Sequence, residues 1–505
     1  MILQVVVIAI FARIPHAISE SLCSVACFPN PAVKIRDGCV CGTIMPGLDG
    51  DAFEAFLGIP YAKPPVNELR FANPVRNDPW RGIYNASFPR DMCIQMNDFA
   101  PRPVVQGVED CLYLNVYRPK TLRNPLPVMV FIHGGGYLAG SSHPDQFGPE
   151  RFMDTRQVIL VTFQYRLGAF GFLSTNDLAA PGNYGLKDQS LALGWVQRNI
   201  RAFDGAPDEV TLFGQSSGGS SVQLHMMSPL SKGLFGRAIS MSGSALAGWN
   251  DPPVDPLSLV ERQAEVAGVE DADTMDSWEL VDALRKVDAV KLTESRSQLK
   301  SWNNYPIVLY TPVVEKVHEG AFMSEDPREL WRDGLYESVP WMTGYLPNDG
   351  AVIALGLISN HNLVSEFIEQ QKVLLPSFGL NRSYDDLISR FFDDLPVDSA
   401  NADRMIKLIN EGNFLFSMPE SILRYQNKPN SHPVSLYNFN FKSHYSFQNL
   451  YTAIPTTRDY GIVHGSELLY LFRIPAAFPD FKKDSPEEAM SREFVRQFVH
   501  FAVNG

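Results

Sequence analysis

The sequence lacks cysteine beyond its first quarter, since all six cysteines fall between Cys23 and Cys111. After the amino terminus it has no run of about 18 apolar residues, so no transmembrane helix is expected. It also lacks an excess of positive charge: 43 Lys and Arg face 56 Asp and Glu, a formal net charge of −13. An acidic surface repels phosphate backbones, so nucleic acid is excluded as an expected partner. Internal repeats and low-complexity tracts are absent too, as in an ordinary globular protein.

The amino-terminal segment MILQVVVIAIFARIPHAIS precedes all six cysteines. Its apolar run from Ile2 to Ala12 is too short to span a bilayer and suits a signal peptide cleaved after Ser19. A buried strand or helix is the alternative. An even number of cysteines after a signal peptide favours disulfides. Zinc is the alternative for the first four cysteines, although no histidine lies between Cys23 and Cys41.

Two further triplets agree with secretion. Asn85-Ala86-Ser87 and Asn381-Arg382-Ser383 fit the acceptor pattern for N-glycosylation. We therefore predict a secreted protein with a signal peptide at residues 1–19 and one domain over residues 20–505. No motif calls for a metal or a cofactor, and none is expected.

Alternating strand and helix patterns predict an α/β fold. Short apolar runs bounded by turn residues predict buried strands at 128–132, 158–163, 210–213 and 238–241. The clearest helical pattern is Asp188–Ile200. Such alternation favours a mostly parallel sheet covered by helices on both faces. Segments 252–297 and 360–427 have helical patterns and are predicted to be insertions, which build either a pocket wall or plain structural cover.

The motif Gly214-Gln215-Ser216-Ser217-Gly218 has the form G-x-S-x-G and lies between an apolar strand and a run of small residues. This context predicts a sharp strand-to-helix turn that holds Ser216 outward in a strained conformation. Glycines flank the serine because neighbouring backbones approach closely. Ser216 is the candidate nucleophile.

A second glycine motif, His133-Gly134-Gly135-Gly136, follows the predicted strand 128–132. Ester hydrolysis builds negative charge on the carbonyl oxygen, and fixed N–H groups aimed at that charge stabilise it. We assign Gly135, Gly136 and Ser217 as the backbone donors. A glycine-rich packing or phosphate loop is the alternative, but the motif lacks the lysine of a P-loop.

A serine hydroxyl needs a histidine base oriented by a carboxylate, in the chain order serine, acid, histidine. His464 lies in the loop-like stretch GIVHGSE before an apolar run. Spacing leaves His432 and His444 as alternatives. Asp349 lies on a predicted turn after the apolar segment 339–342, which suits an orienting carboxylate.

Further motifs extend the pattern over most of the chain. They are FLGIPYA (56–62), LRF (69–71), EDCLYLNV (109–116), YRLG (165–168) and NYGLKDQ (183–189). Together with the two glycine motifs they resemble type-B carboxylesterases, the family of cholinesterases and insect esterases, from about Gly42 onward. The resemblance implies one α/β-hydrolase domain with helical insertions around a deep gorge. It assigns His464 as the base and places Asp349 where most members have glutamate.

The same resemblance implies several contacts. These are a disulfide between Cys93 and Cys111 and ion pairs joining Arg70 to Glu109 and Arg166 to Asp188. Trp249 aligns with a tryptophan that lines the acyl pocket of relatives.

Gln215 separates this chain from many relatives, which have glutamate before the nucleophile. A neutral amide offers a cationic ester no electrostatic partner. Between Cys93 and Cys111 there is also no counterpart of the tryptophan that cages choline in cholinesterases. Glutamine here is typical of insect juvenile hormone esterases, whose motif reads G-Q-S-A-G.

The sequence departs from its relatives in other places. Ser217 replaces the usual alanine, and Ala206 lies where relatives have aspartate. The chain ends at Gly505 where relatives continue for several tens of residues, so we expect the carboxyl-terminal part of the fold to be truncated.

These features favour a serine esterase acting on small, uncharged, lipophilic esters, with juvenile hormone as one candidate. A general or xenobiotic-degrading esterase is the alternative within this class. A non-catalytic adhesion protein like the neuroligins is the alternative outside it, but such proteins typically lose a triad residue.

Overall fold

The computed structural model describes residues 23–505 except 101, 121–124, 303–304, 359–362, 364–365, 367–369, 371–383, 394, 430 and 453–455. The predicted signal peptide and Asn381 lie outside the described residues. Within them no helix is both long and apolar enough to cross a bilayer.

The strands are, from β1 to β14, Ala32–Lys34, Cys39–Cys41, Thr43–Pro46, Ala52–Pro60, Ile83–Asn85, Gln95–Met96, Val105–Gln106, Tyr113–Pro119, Leu126–Ile132, Ile159–Phe163, Gly205–Gln215, Arg237–Met241, Trp341–Tyr345 and Val434–Asn438. In the described residues the α-helices named here are, from α1 to α15, Glu150–Met153, Gly168–Phe172, Tyr184–Asn199, Ser217–Met227, Pro256–Val266, Ser277–Lys286, Ala289–Ser295, Pro327–Arg332, Ala351–Ile358, Tyr384–Phe392, Ala402–Asn410, Ser417–Gln426, Gln448–Tyr451, Leu468–Leu471 and Pro486–Asn504.

A nine-stranded sheet forms the centre, in the order β14-β13-β12-β11-β9-β10-β8-β4-β3. The strands from β14 to β10 pair in parallel, and β8, β4 and β3 add antiparallel pairs at one edge. This arrangement confirms the predicted α/β class and the mostly parallel sheet. Parallel strands place their carboxyl ends at one edge, where ligand sites of such folds occur.

Helices cover both faces of the sheet, and the burial of β9 on both of its sides shows this. All seven residues of β9 are buried. Alternate side chains enter two different cores: Val130 joins the core that contains Leu193 of α3, and Phe131 joins the core that contains Phe498 of α15. A strand buried on both faces explains the uninterrupted apolar run in its sequence.

Helical insertions follow the predicted segments. The first segment contains α5, α6 and α7, and the described part of the second contains α10, α11 and α12. Helix α6 begins at a capping box, because Asp276 accepts from the Glu279 N–H and the Glu279 carboxylate accepts from the Asp276 N–H. Leu355 of α9 and Ile409 of α11 share a third core beside the main ones.

Two elements extend further than predicted. Helix α3 begins at Tyr184 rather than Asp188, because Tyr184 is itself buried in the core. Asn183 precedes it in a left-handed conformation and donates to the Val313 carbonyl. Strand β11 begins at Gly205, with an irregularity before Val210 that local patterning does not signal.

All six cysteines form disulfides: Cys23 with Cys39, Cys27 with Cys41 and Cys93 with Cys111. The first two attach the helical residues 23–27 to β2. The sulfurs considered for zinc are therefore bonded to each other. The two ion pairs named above are also present, with Arg166 Nη2 2.7 Å from Asp188 Oδ1 and Arg70 Nη2 2.5 Å from Glu109 Oε1.

Candidate active site

Ser216 lies at the turn between β11 and α4, with φ 59° and ψ −125°. A positive φ is strained for a residue with a Cβ, and it turns the side chain away from both elements. The flanking glycines are required for this turn. A Cβ on Gly214 would lie 2.5 Å from the Gly218 carbonyl oxygen, and a Cβ on Gly218 would lie 2.2 Å from that of Ile132.

His464 and Asp349 meet although 115 positions separate them in the chain. His464 Nδ1 is 2.6 Å from Asp349 Oδ1, and both side chains are buried. A short contact in a buried place fixes the Nδ1–H tautomer, since the carboxylate accepts that proton. His444 Nδ1 lies 3.5 Å from Glu487 Oε1, but its side chain is exposed to solvent, and His432 has no carboxylate contact within the described part of the chain.

The other oxygen of Asp349 is held by two donors. The Ser242 hydroxyl donates to Oδ2 at 2.9 Å, and the Leu346 N–H donates to the same atom at 2.8 Å. These bonds fix which oxygen faces His464. Ser242 was missed from the sequence. Its signal was a polar residue directly after β12, at the carboxyl end of a parallel strand.

Gln215 contacts the histidine at its other nitrogen. Gln215 Nε2 is 3.1 Å from His464 Nε2, and the glutamine is buried. Because the Nδ1 proton goes to Asp349, Nε2 carries the lone pair and the amide N–H donates to it. The sequence predicts that Gln215 lies beside the substrate. The structure shows that its side chain also hydrogen-bonds to His464, the proposed base.

The loop after β9 lies beside Ser216. Gly135 and Gly136 have φ of 116° and 62°, and a Cβ on Gly135 would lie 2.0 Å from the Ala139 carbonyl oxygen. The backbone N–H groups of Gly135, Gly136 and Ser217 have no acceptor among the described residues. Unpaired N–H groups next to a nucleophile are what an oxyanion hole requires.

His133, the first residue of this loop, packs against Tyr165. Its ring stacks on Tyr165 with centroids 4.4 Å apart, and the Tyr165 hydroxyl donates to the His133 carbonyl at 2.8 Å. Burial lowers the pKa of His133 to about 4, so its ring is neutral at pH 7. A neutral ring is available for packing rather than proton transfer.

Glu467 is a second acid in the same region. It is fully buried, and neither carboxyl oxygen has a hydrogen-bond partner in the part of the chain that the structure describes. Burial, with a further contribution from the Asp349 charge, raises its pKa well above the usual range. The surroundings of Glu467 therefore disfavour its ionised form, whereas an orienting carboxylate must be ionised.

A cavity of about 1330 Å³ contains both Ser216 and His464 in its wall. Apolar and aromatic side chains line much of it, among them Phe99, Trp249, Phe414, Phe447 and Leu468. Pockets of this character suit apolar ligands. The charged lining residues, such as Arg262, Arg332 and Glu420, are solvent-exposed and so lie toward the opening.

The buried Ser217 hydroxyl gives a test of the proposed oxyanion donors. It has no hydrogen-bond partner among the described residues, so only its backbone N–H is assigned a role. Ser217→Ala keeps that N–H and is expected to retain or raise kcat. Steady-state kinetics on a naphthyl ester checks this. A loss above tenfold, about 1.4 kcal/mol, contradicts the assignment.

Comparison with known proteins agrees with this geometry. The model of the carboxylesterase family matches residues 29–505. The juvenile hormone esterase of Tribolium castaneum is 39% identical, with 96% of this chain and 86% of that protein covered. Esterase FE4 of Myzus persicae is 32% identical, with 88% and 79% covered.

A solved structure is similar as well. It is the crystal structure of the juvenile hormone esterase of Manduca sexta with OTFP covalently attached, with a TM-score of 0.80 and 29% identity over 94% of this chain and 90% of that one. Since the family model spans nearly the whole chain and relatives exceed 30% identity, the protein belongs to the carboxylesterase family and is a carboxylic-ester hydrolase with the α/β-hydrolase fold.

Proposed function

We propose that the protein is a secreted serine esterase that hydrolyses uncharged lipophilic esters through an acyl-enzyme, with Ser216, His464 and Asp349 as its triad. The carrying observation is that Ser216, on its strained turn, and His464, bonded to Asp349, open into one cavity.

The reaction has two halves. His464 Nε2 takes the Ser216 proton as Oγ attacks the ester carbonyl, and the resulting oxyanion is stabilised by the N–H groups of Gly135, Gly136 and Ser217. Collapse breaks the bond to the alcohol, which leaves with the proton from His464. Water then attacks the acyl-enzyme with the same base, releasing the acid and restoring Ser216.

Before this cycle starts, His464 Nε2 must exchange partners. The Gln215 amide donates to it in this structure, so the Ser216 hydroxyl has to replace that bond. The amide holds the base in the tautomer that attack requires.

The chemistry of the cavity supports an uncharged substrate. Among the described residues that line the cavity, the charged side chains named above are solvent-exposed, and Gln215, next to Ser216 in the chain, is neutral. Trp249 lines the cavity and is proposed to contact the acyl group. A juvenile hormone, a neutral terpenoid methyl ester, fits this description, and the 39% identical relative carries that name. The likeness to Esterase FE4 keeps a broader carboxylesterase as the second candidate.

Secretion is proposed from the signal-like segment 1–19 and the three disulfides, which form in oxidising compartments. Asn85 is exposed at the end of β5 and is the proposed glycosylation site in the described part of the chain, with Asn381 as the second.

A substrate panel tests the proposed specificity. We expect a higher kcat/KM for juvenile hormone and naphthyl esters than for acetylthiocholine. Gln215→Glu is expected to shift the ratio toward the cationic ester, because a carboxylate attracts a cation and a neutral amide does not. Gln215→Met, which adds no charge, serves as the control. Faster hydrolysis of acetylthiocholine than of a matched uncharged thioester by the unmodified enzyme contradicts the proposal.

A further inference from the structure

A cluster of three buried charged side chains lies behind the cavity wall. The Asp98 carboxylate forms ion pairs with Arg296 Nη2 at 2.8 Å and with Lys300 Nζ at 3.0 Å. The exposed fractions of these side chains are 2% for Asp98, 6% for Arg296 and 2% for Lys300. Charges this deeply buried are costly to desolvate and persist only when they are paired.

The cluster joins two separate stretches of the cavity wall. Asn97 and Phe99, which flank Asp98, line the cavity, and so do Leu299 and Ser301, which flank Lys300. The ion pairs therefore hold one wall segment against the other.

Lys300 also reaches a third part of the wall. Its Nζ donates to the carbonyl oxygens of Pro306 and Ile307, each at 2.7 Å, and both residues line the cavity. With Asp98 included, one ammonium group has three acceptors from two places in the chain. Burial lowers the pKa of Lys300 to about 8, with Asp98 acting in the opposite direction.

The first and the third of these parts of the wall lie against the glycine loop. A Cβ on Gly136 would lie 3.0 Å from the Phe99 ring and 3.2 Å from a methyl group of Val308. Phe99 and Val308 therefore cover Gly136 closely. A small displacement of either wall changes the space next to this proposed oxyanion donor.

We propose that Lys300 is a positioning residue that, with Asp98 and Arg296, fixes the walls over Gly136 and so selects esters by bulk. This rests on the proposed oxyanion role of Gly136. With the walls held in place, small esters are confined near Ser216 and bulky ones are hindered. Without Lys300 the walls separate, so small esters lose kcat and bulky esters lose little.

The test is Lys300→Met, which keeps length but removes the charge and its donors. The kcat/KM for a bulky naphthyl ester, divided by that for a small one, is expected to rise about tenfold, roughly 1.4 kcal/mol. The rise should come from a lower kcat for the small ester, with its KM little changed. Lys187→Met is the matched control. Lys187 pairs with Glu315 at 2.6 Å, equally buried, and neither residue lines the cavity. Its ratio should stay within about twofold.

Two further variants keep the outcome decisive. Asp98→Asn has the same shape and carries the same expectation. Phe99→Ala leaves the cluster intact and removes a half-buried wall side chain, so it should raise the ratio even if the charge variants do not fold. An unchanged ratio in Phe99→Ala, or in a folded Lys300→Met, overturns the proposal. Labelling with a fluorophosphonate separates this result from failure of the proposed function, in which the unmodified protein is not labelled at Ser216.

Discussion

Ser216→Ala is expected to lower kcat by at least ~10⁴-fold on every ester, while the protein folds normally. The hydroxyl is the proposed nucleophile, and water held near the same N–H groups supplies only the residual rate. The fold should tolerate the change because alanine has the same Cβ as serine and adds no strain at a φ of 59°. Steady-state kinetics and thermal unfolding of the purified variant measure both effects.

Covalent labelling makes this prediction specific to one residue. An organophosphate should modify Ser216, because an activated serine attacks phosphorus as it attacks a carbonyl carbon. Mass spectrometry of the digested protein locates the label, and Ser217→Ala, one position away, should be labelled like the unmodified protein. A label on another serine of active protein, or catalysis that survives in Ser216→Ala, contradicts the proposed nucleophile.

Four neighbouring strands of the sheet, β9 to β12, could be predicted because local sequence pattern indicates them. β9 is apolar at every position, and a short apolar run bounded by turn residues is typical of a strand buried on both faces. The start of α3 could not be predicted in the same way. It depends on Asn183 and on Lys187, which bond to Val313 and Glu315 more than 100 positions away.

In the candidate site too, the residues that are neighbours in the chain could be predicted more readily than those that meet only after folding. Ser216 and its glycines are neighbours in the chain, so the motif contains most of the information about the turn. Residues that meet only after folding gave weaker signals: His464 could not be separated from His432 by spacing, and the family resemblance decided between them. The only sequence signal for Ser242 is its position directly after a strand.

The buried cluster of charged side chains could not be predicted from the sequence, for a further reason. Asp98, Arg296 and Lys300 are ordinary charged residues in polar stretches, and charged residues are usually exposed. Their burial follows from how two distant segments close over the glycine loop, which no local pattern encodes.

Asp349→Asn is expected to fold and to lose ~10³- to 10⁴-fold in kcat. The reason lies in the two donors on Oδ2. The Leu346 N–H can only donate, so it requires an oxygen there, and the Ser242 hydroxyl donates to the same atom. The new amide therefore turns its NH₂ toward His464. That NH₂ donates to Nδ1, which forces the proton onto Nε2 and removes the lone pair that accepts the Ser216 proton. Asp349→Glu keeps a carboxylate and should retain part of the activity.

The result that would contradict this prediction involves Glu467. Near-normal turnover by Asp349→Asn would mean that another acid orients His464, and Glu467 is the buried candidate. The charge of Asp349 helps to keep the pKa of Glu467 raised, so the substitution favours its ionisation. The double variant with Glu467→Gln separates the two cases. If Asp349 is the orienting residue, the second substitution changes little beyond the first. If Glu467 replaces it, the double variant loses the activity that Asp349→Asn retained, and Asp349 is not the acid of the triad.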